Sequence, residues 1–180
     1  MNRLCMLTIA SSMWLAVAVA ILFNLCLARS LDKEACSQEG GSFVRGRCLK
    51  LLPLLGGAND HGSARGGCAA DGGRLAVDVY EEELASAQVV GMPYALGGAW
   101  LNLVRDPGDG LWYWHAEGVE KWAANWTGRP ISWYPGEPNG DYLGLHEPVG
   151  LIYKDGAGTG IVDLTDSPDQ PLGEHALCEY

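Results

Sequence analysis

Four cysteines, Cys36, Cys48, Cys68 and Cys178, limit the folds open to this chain of 180 residues more than any other feature of its sequence. The two remaining cysteines lie inside an apolar leader and leave the count. An even number in an exported domain indicates two disulfide bonds, for which three connectivities exist. In one of them, Cys36 pairs with Cys48 across a glycine-rich hairpin and Cys68 reaches Cys178, far along the chain. The cysteine spacing matches no zinc site, so the sequence gives little support to a metal–thiolate centre.

The apolar leader is predicted to direct export. Met1–Arg3 supplies a short basic start, and residues 4–28 are apolar or small with few polar breaks. This pattern is typical of a secretory signal peptide over residues 1–28. The run is also long enough to cross a bilayer, which takes ~20 residues, so an uncleaved signal anchor through residues 4–28 is the alternative. Both interpretations make residues 31–180 secreted or place them on the extracellular side of the membrane.

An exported domain is open to glycosylation. Asn125–Trp126–Thr127 forms an N-glycosylation sequon. The sequence therefore predicts Asn125 as a glycosylation site and the mature chain as a glycoprotein.

Charge and composition exclude several classes of function. The formal net charge is −10, and no long run of lysine and arginine offers a face for nucleic acid or for an anionic membrane surface. Apolar residues make up 48% of the chain and charged residues 19%, which is enough apolar material for a packed core. The sequence therefore predicts one globular domain after the leader, with no nucleic-acid partner.

The pattern of apolar residues and turn formers predicts an α+β domain. Helices are expected over residues 59–71, despite three glycines, and over residues 81–90, where three acids occupy the first turn. The predicted strands are bounded by turn-forming residues. They are Leu75–Val77, Trp100–Val104, Trp112–Trp114, Val149–Tyr153, Gly160–Leu164 and His175–Glu179. Two helices therefore come early, and a strand-rich half with a long irregular insert follows.

The order of motifs along residues 31–180 resembles a C-type lectin-like domain of the long form, which carries an extra N-terminal hairpin. Each motif is weak alone, but the ordered set with both disulfide positions filled is specific. The motifs are Cys36 to Cys48, Cys68 on a helix, Trp100–Leu103, Trp112–Trp114, Trp133–Asn139 and Leu177–Glu179. The resemblance implies a C-type lectin-like fold with two helices, small antiparallel sheets and a long-loop region.

In this family the long-loop region holds Ca²⁺ and a sugar, and the resemblance carries the ligands onto four residues. Glu137 and Asn139 flank Pro138 in the ligand-bearing Glu-Pro-Asn triplet, where the family has a cis peptide bond before the proline. Glu147 matches the acid that follows the triplet, and Asp163 matches the acid of the family's Trp-Asn-Asp strand. In the family, this triplet goes with mannose, glucose or N-acetylglucosamine.

The donor atoms of these four residues suit calcium. Ca²⁺ takes roughly six to eight oxygen ligands, and Glu137, Asn139, Glu147 and Asp163 offer three carboxylates and one amide carbonyl. Two vicinal sugar hydroxyls would complete the shell, since each can bind the metal, donate to a carboxylate and accept from an amide. The prediction is an extracellular, Ca²⁺-dependent lectin whose partner is a carbohydrate or glycoprotein.

Two departures from the family pattern support an alternative. Val162 stands where the family has an amide ligand, so one side-chain oxygen is missing from the calcium site. The family's inner disulfide is also missing, because Val149 and Asp166 stand at its two positions. The alternative is a lectin-like domain with a degenerate Ca²⁺ site that binds protein or another surface through the same loop.

The sequence offers little support for an enzyme. It contains neither a Gly-x-Ser-x-Gly nucleophile elbow nor a His-Glu-x-x-His metal helix. Glu137 and Glu147 are the available pair of carboxylates for glycoside hydrolysis. Carboxylates that share a metal are ionised, however, whereas a general acid needs a raised pKa. The prediction is therefore a binding protein without catalytic activity.

Overall fold

The computed structural model of the chain describes residues 32–54, 59–92, 98–116, 121–124, 128–142, 145–167 and 172–180. The predicted targeting segment, residues 1–28, and the predicted glycosylation site at Asn125 lie outside these ranges and stay predictions. Within the ranges, no helix combines the length and the apolar character needed to cross a membrane.

Four short helices lie in these ranges: α1 (Lys33–Gln38), α2 (His61–Ala70), α3 (Glu81–Leu84) and α4 (Ala87–Val90). Asp32 caps α1 and Asp60 caps α2, each by accepting a hydrogen bond from a backbone N–H of the first turn. The helix predicted over 59–71 is confirmed with shorter ends, whereas the sequence pattern did not indicate α1. The single helix predicted over 81–90 is wrong, because the Ser86 hydroxyl accepts a hydrogen bond from Val89 N–H and starts a second helix.

The strands follow the predicted ones closely in the second half of the chain. Those in the described ranges are β1 (Ser42–Val44), β2 (Arg47–Pro53), β3 (Arg74–Leu75), β4 (Gly98–Arg105), β5 (Trp112–Trp114), β6 (Trp122–Ala123), β7 (Asp141–Tyr142), β8 (Leu145–His146), β9 (Val149–Lys154), β10 (Thr159–Leu164) and β11 (His175–Glu179). Strands β5 and β11 have the predicted ends, and β4, β9 and β10 extend beyond them. Strand β3 is the exception, since it ends at Leu75 and leaves Ala76 and Val77 outside.

The main sheet of the described residues is mixed. Its order is β1-β2-β11-β4-β5-β6, while β3 pairs with β11, β9 pairs with β4, and β10 lies outside β9. Strands β7 and β8 pair with each other in a separate two-stranded sheet. Most pairings are antiparallel, as predicted, whereas β11 runs parallel to β4.

Both predicted disulfide bonds of the local-plus-distant connectivity are confirmed. Cys36 pairs with Cys48, with Cα atoms 5.5 Å apart, and Cys68 pairs with Cys178, with Cα atoms 5.4 Å apart. The first bond closes the β1–β2 hairpin, and the second ties α2 to β11. Both bonds are fully buried, so they belong to the packed interior.

Apolar side chains cover both faces of the central strands. In β4, every residue from Gly98 to Leu103 is buried, including Trp100 and Leu101, which point to opposite faces. The sequence of such a strand reads as a continuous apolar run, because neither face is left to water. Trp100 and Trp114 are fully buried and serve the core.

Strand β10 holds residues 132–134, just before the Glu-Pro-Asn triplet, in place. Tyr134 N–H donates to Ile161 O at 2.8 Å, and Ile161 N–H donates to Ser132 O at 2.9 Å. Trp133 also packs edge-to-face on Trp112 of β5, with ring centroids 5.1 Å apart. These contacts fix the segment before Glu137, so the Glu-Pro-Asn triplet lies near the end of β10 that carries Asp163.

We expect Gly160→Ala to destabilise the domain more than Gly158→Ala. A Cβ atom at Gly160 would lie 2.7 Å from the backbone of Tyr134, whereas one at Gly158 would meet nothing within 4 Å. Tyr134 would have to move away from β10, and overpacking of this kind costs ~1–3 kcal/mol. Chemical denaturation should show that loss for Gly160→Ala and almost none for Gly158→Ala. Equal losses would contradict the close approach of the insert to β10.

Candidate calcium and sugar site

The Glu-Pro-Asn triplet forms a tight exposed loop between two glycines with positive φ. The φ angles of Gly136 and Gly140 are 97° and 80°, in the region that favours glycine. The peptide bond between Glu137 and Pro138 is cis, which is the conformation that the resemblance implies. Glu137 N–H donates to Tyr134 O at 2.9 Å, so the loop starts from the segment already held by β10.

Asp163 binds the far side of this loop. One carboxylate oxygen accepts a hydrogen bond from Asn139 N–H at 3.0 Å, and the other accepts one from Gly140 N–H at 2.7 Å. Asp163 is only 2% exposed. A buried carboxylate needs such partners, and hydrogen bonds to a charged acceptor are stronger than neutral ones. Asp163 is therefore the residue through which β10 positions the triplet.

Glu137 and Asn139 contact each other within the loop. Glu137 Oε2 accepts from Asn139 N–H at 3.1 Å, and Glu137 Oε1 accepts from Asn139 Nδ2 at 3.2 Å. Asn139 is exposed and Glu137 is partly exposed. The two side chains thus offer adjacent acceptor and donor groups at the surface, as recognition of a hydroxyl pair requires.

The carboxylates of the site are close enough to perturb one another. The pKa of Glu137 is raised to about 7, first by loss of hydration, then by a hydrogen bond with the Asp163 carboxyl and by the negative charges of Asp163 and Glu147. Glu147 is 6% exposed, and its N–H donates to Gly140 O at 3.2 Å. The structure therefore brings all four sequence-predicted ligands around one loop.

These residues fit calcium in donor type and in charge. The negative charges of Asp163 and Glu147 contribute to the raised pKa of Glu137, and a bound cation would offset that repulsion. As they stand, however, no three of the described acidic, histidine or cysteine side chains form a ready metal cluster. The residues thus have suitable donor atoms and lie around one loop, and their side chains would move closer together when calcium binds.

Val162 adds no oxygen to the site. Its side chain is 7% exposed and packs in the apolar cluster with Trp100 and Leu151, its partner across the β9–β10 ladder. Asp166 has a different role from Asp163, because its carboxylate accepts a hydrogen bond from His61 N–H at 2.9 Å, at the start of α2. Asp166 therefore supports the helix and not the loop.

Sequence reasoning missed two participants in this region. Gly140 supplies an N–H to Asp163, and the guanidinium of Arg105 lies so close that a Cβ atom at Gly140 would be 3.1 Å from its Nη1 atom. From the sequence, Gly140 is recognisable only as a turn-forming residue after the Glu-Pro-Asn triplet. Arg105 ends β4, far away in sequence, and no pattern connects it to residue 140.

We expect the metal-free domain to lose stability as the pH rises through about 7. The pKa of Glu137 is raised from its ordinary 4.5. The stabilisation that protonated Glu137 gives the folded state is therefore fully present below pH 4.5 and is lost when the group ionises beside Asp163. Because Glu137 is partly exposed, screening reduces the effect to about 1 kcal/mol. Melting curves in EDTA between pH 5 and pH 8 would measure it. The variant Glu137→Gln should lack this component, and identical curves for both proteins would contradict the assignment.

Comparison with known proteins supports the fold through structure and not through sequence. No protein-family model matches the chain, and no curated protein sequence matches it. Among solved structures, the C-type lectin domain of murine dendritic cell inhibitory receptor 2 in complex with N-glycan is 19% identical with a TM-score of 0.53, covering 74% of this chain and 90% of that one.

Two other similar structures have the same architecture. The cow C-type carbohydrate-recognition domain of CD23, determined in the presence of a GlcNAc2Man3 oligosaccharide, is 18% identical with a TM-score of 0.50 and covers 74% of this chain and 87% of that one. The trimeric Kupffer cell C-type lectin receptor Clec4f is 15% identical with a TM-score of 0.51 and covers 94% of this chain and 96% of that one. The α+β arrangement of the described residues is therefore the C-type lectin fold.

Proposed function

We propose that the domain is an extracellular lectin that binds carbohydrate through Ca²⁺ at Glu137, Asn139, Glu147 and Asp163. One observation carries this proposal: the buried Asp163 carboxylate binds two N–H groups of the exposed loop that carries Glu137 and Asn139, next to Glu147. Neighbouring acids repel each other, and a divalent cation would remove that repulsion. This arrangement therefore favours a metal-binding loop over a turn with a purely structural role. The sugar class that we propose is mannose, glucose or N-acetylglucosamine.

Calcium, when bound, would polarise two neighbouring sugar hydroxyls and hold them by their oxygen atoms. The residues of this chain would select the sugar. Glu137 accepts a hydrogen bond from one hydroxyl, and Asn139 Nδ2 donates to the other. Few apolar contacts are involved, so a single site binds weakly and clustering of sites supplies avidity.

The similar structures support a carbohydrate as the partner. The murine receptor domain was solved with an N-glycan, and the cow CD23 domain with a mannose-containing oligosaccharide. We carry this over to the present chain as part of the proposal, together with a glycoprotein as an equivalent partner.

The leader and the disulfides support the proposed location. Two buried disulfide bonds suit an oxidising, extracellular compartment. The proposal includes export directed by residues 1–28, either cleaved or retained as an anchor through residues 4–28, and glycosylation at Asn125.

The proposal assigns no catalysis to the loop. The raised pKa of Glu137 is a property that a general acid would need. Its causes, however, include the Asp163 carboxyl, with which Glu137 would share the cation. Once a cation is bound, both groups are ionised, so a binding role is the better account.

A second candidate is a lectin-like domain that binds protein through the same loop without calcium. The burial of Val162 in the apolar cluster favours it, because position 162 then offers no ligand. The absence of a ready cluster among the described acids favours it as well.

Chelator-sensitive retention on immobilised sugars tests the proposal. We expect the exported domain to be retained on mannose in millimolar calcium, to elute with EDTA, and to pass through a galactose column. Retention that persists in EDTA would contradict calcium-dependent binding of the sugar. Failure to bind any immobilised sugar, together with no heat on calcium titration, would favour the second candidate.

A further inference from the structure

A second concave site shares no residue with the Glu137–Asp163 loop. Its volume is about 430 Å³, within the ~300–1,000 Å³ typical of small-ligand pockets. Its lining includes two aromatic residues, Tyr80 and Trp122, and four arginines, Arg45, Arg47, Arg74 and Arg129. We call it the arginine cavity. Four arginines around one cavity are unexpected in a chain whose net charge is −10.

Arg47 forms the floor of the arginine cavity. It donates to Glu179 Oε2 at 2.6 Å and to Glu83 Oε1 at 3.2 Å, and these acids are 3% and 0% exposed. Its Nη2 atom also donates to Asp78 O at 3.0 Å. Arg47 is partly exposed but is hydrogen-bonded to two buried acids, so its guanidinium is held in place.

The other three arginines lie nearer to solvent. The Arg74 side chain is 49% exposed, and among the described residues its hydrogen bonds involve Nε alone, which donates to Glu179 at 2.6 Å. The Arg45 side chain is 46% exposed, and its Nε atom lies 3.5 Å from Glu82. Arg129 stacks 4.1 Å above the Tyr80 ring. The terminal guanidinium N–H groups of Arg45 and Arg74 therefore remain available in the cavity.

The two acids of the lining already have partners among the residues around the cavity. Asp78 Oδ1 accepts hydrogen bonds from Trp122 Nε1 at 3.0 Å and from the Tyr80 hydroxyl at 3.4 Å. Glu83 accepts from Tyr80 N–H at 3.0 Å and lies 3.6 Å from Arg129. Glu179 and Glu82, outside the lining, also pair with arginines of the cavity. The four arginines therefore face four acids, and what the cavity offers an anion is the set of N–H donors on Arg45 and Arg74 that the described residues leave unused.

We propose that the arginine cavity binds an oxyanion, a carboxylate or sulfate, borne on a small ring such as that of an acidic sugar. Arg45 and Arg74 present planar donor forks that match carboxylate and sulfate in pairs of hydrogen bonds. The Trp122 ring is held by Asp78 and offers an apolar surface beside the anion. No ligand of the proposed calcium site takes part, so this binding needs no divalent ion.

Titration of the domain in EDTA tests the proposal with three probes: inorganic sulfate, glucuronate and a sulfated disaccharide. We expect glucuronate or the sulfated disaccharide to bind more tightly than inorganic sulfate, and the tighter of the two identifies the preferred group. Arg45→Gln and Arg74→Gln should each weaken that binding about tenfold, since each removes a charged donor. Arg45→Gln keeps the buried pairs of Glu83 and Glu179, so it tests the cavity without unfolding its floor.

Lys121→Gln is the matched control, because Lys121 is also 49% exposed, lies outside the lining and carries the same charge. It should change the affinity less than twofold. The proposal is overturned if neither ring-bearing probe binds in EDTA, or if Lys121→Gln weakens binding as much as Arg45→Gln does. Binding that requires calcium, or that disappears in Asp163→Asn, would assign the probe to the other site and would also overturn it.

Discussion

The double variant Cys68→Ser, Cys178→Ser is expected to lose about 5 kcal/mol of unfolding free energy. The bond closes a loop of 110 residues, and the chain-entropy model relates the stabilisation to the logarithm of that length. Domains of this size are stable by only ~5–15 kcal/mol, so the variant should lose about a third or more of its stability. Chemical denaturation of the oxidised wild type and of the variant would measure the difference.

The Cys36→Ser, Cys48→Ser variant is the natural control. Its bond spans 12 residues, for which the same model gives about 3 kcal/mol. Both bonds are fully buried, so the lost packing is similar in the two variants. We expect the distant bond to matter more by ~2 kcal/mol. A larger loss for the hairpin bond would show that local packing, and not closure of the long loop, governs the stability.

The position of β11 explains why this tether matters. Strand β11 pairs with β2, β3 and β4, so three parts of the sheet depend on one short segment. Cys178 lies in that segment and is bonded to α2 through Cys68. Without the bond, only the contacts with neighbouring strands offset the entropy lost when β11 is ordered. The parallel contact of β11 with β4 spans only two residue pairs.

The sequence predicted the features that depend on local pattern. The ends of β11 coincide with the apolar run at His175–Glu179, and the hairpin turns at Arg45–Gly46, where both φ angles are positive. Such features need only alternation, turn chemistry and cysteine spacing. The Glu-Pro-Asn loop could be placed beside Asp163 only through the resemblance, since 24 residues separate Asn139 from Asp163.

The features that the sequence did not predict depend on contacts between distant segments. Ser86 splits the expected helix because its hydroxyl competes for a backbone N–H, a choice that the apolar pattern does not show. Asp163 and Asp166 look alike in sequence, yet the first holds the loop and the second holds the start of α2. The arginine cavity could not be predicted either, because Arg45, Arg74 and Arg129 meet only in the folded chain.

Asp163→Asn is expected to abolish calcium-dependent sugar binding while leaving the domain folded. Asparagine matches the size of Asp163 but removes the charge that faces Glu137 and the oxygen that accepts from Gly140 N–H or Asn139 N–H. Loss of a carboxylate ligand should weaken calcium at least about 100-fold, the upper range for changes that merely support metal ligands. Calorimetric titration with calcium would measure this loss.

Asp163→Asn should change the stability of the metal-free protein only slightly, because the lost hydrogen bond is offset by a loss of charge repulsion. In the metal-free protein, burial and then the neighbouring Asp163 raise the pKa of Glu137, so neutralising Asp163 removes one source of repulsion. The two effects oppose each other, and we expect a change in unfolding free energy of less than about 2 kcal/mol.

Asp166→Asn is the matched control, because Asp166 lies three positions further along the same segment but binds His61 N–H at the start of α2. It should leave calcium affinity unchanged and lower the melting temperature modestly. If both variants weaken calcium equally, the effect comes from general loss of negative charge near β10, and the assignment of Asp163 as a ligand is wrong. If only Asp163→Asn weakens calcium binding, Asp163 acts both as a metal ligand and as the contact between β10 and the Glu-Pro-Asn loop.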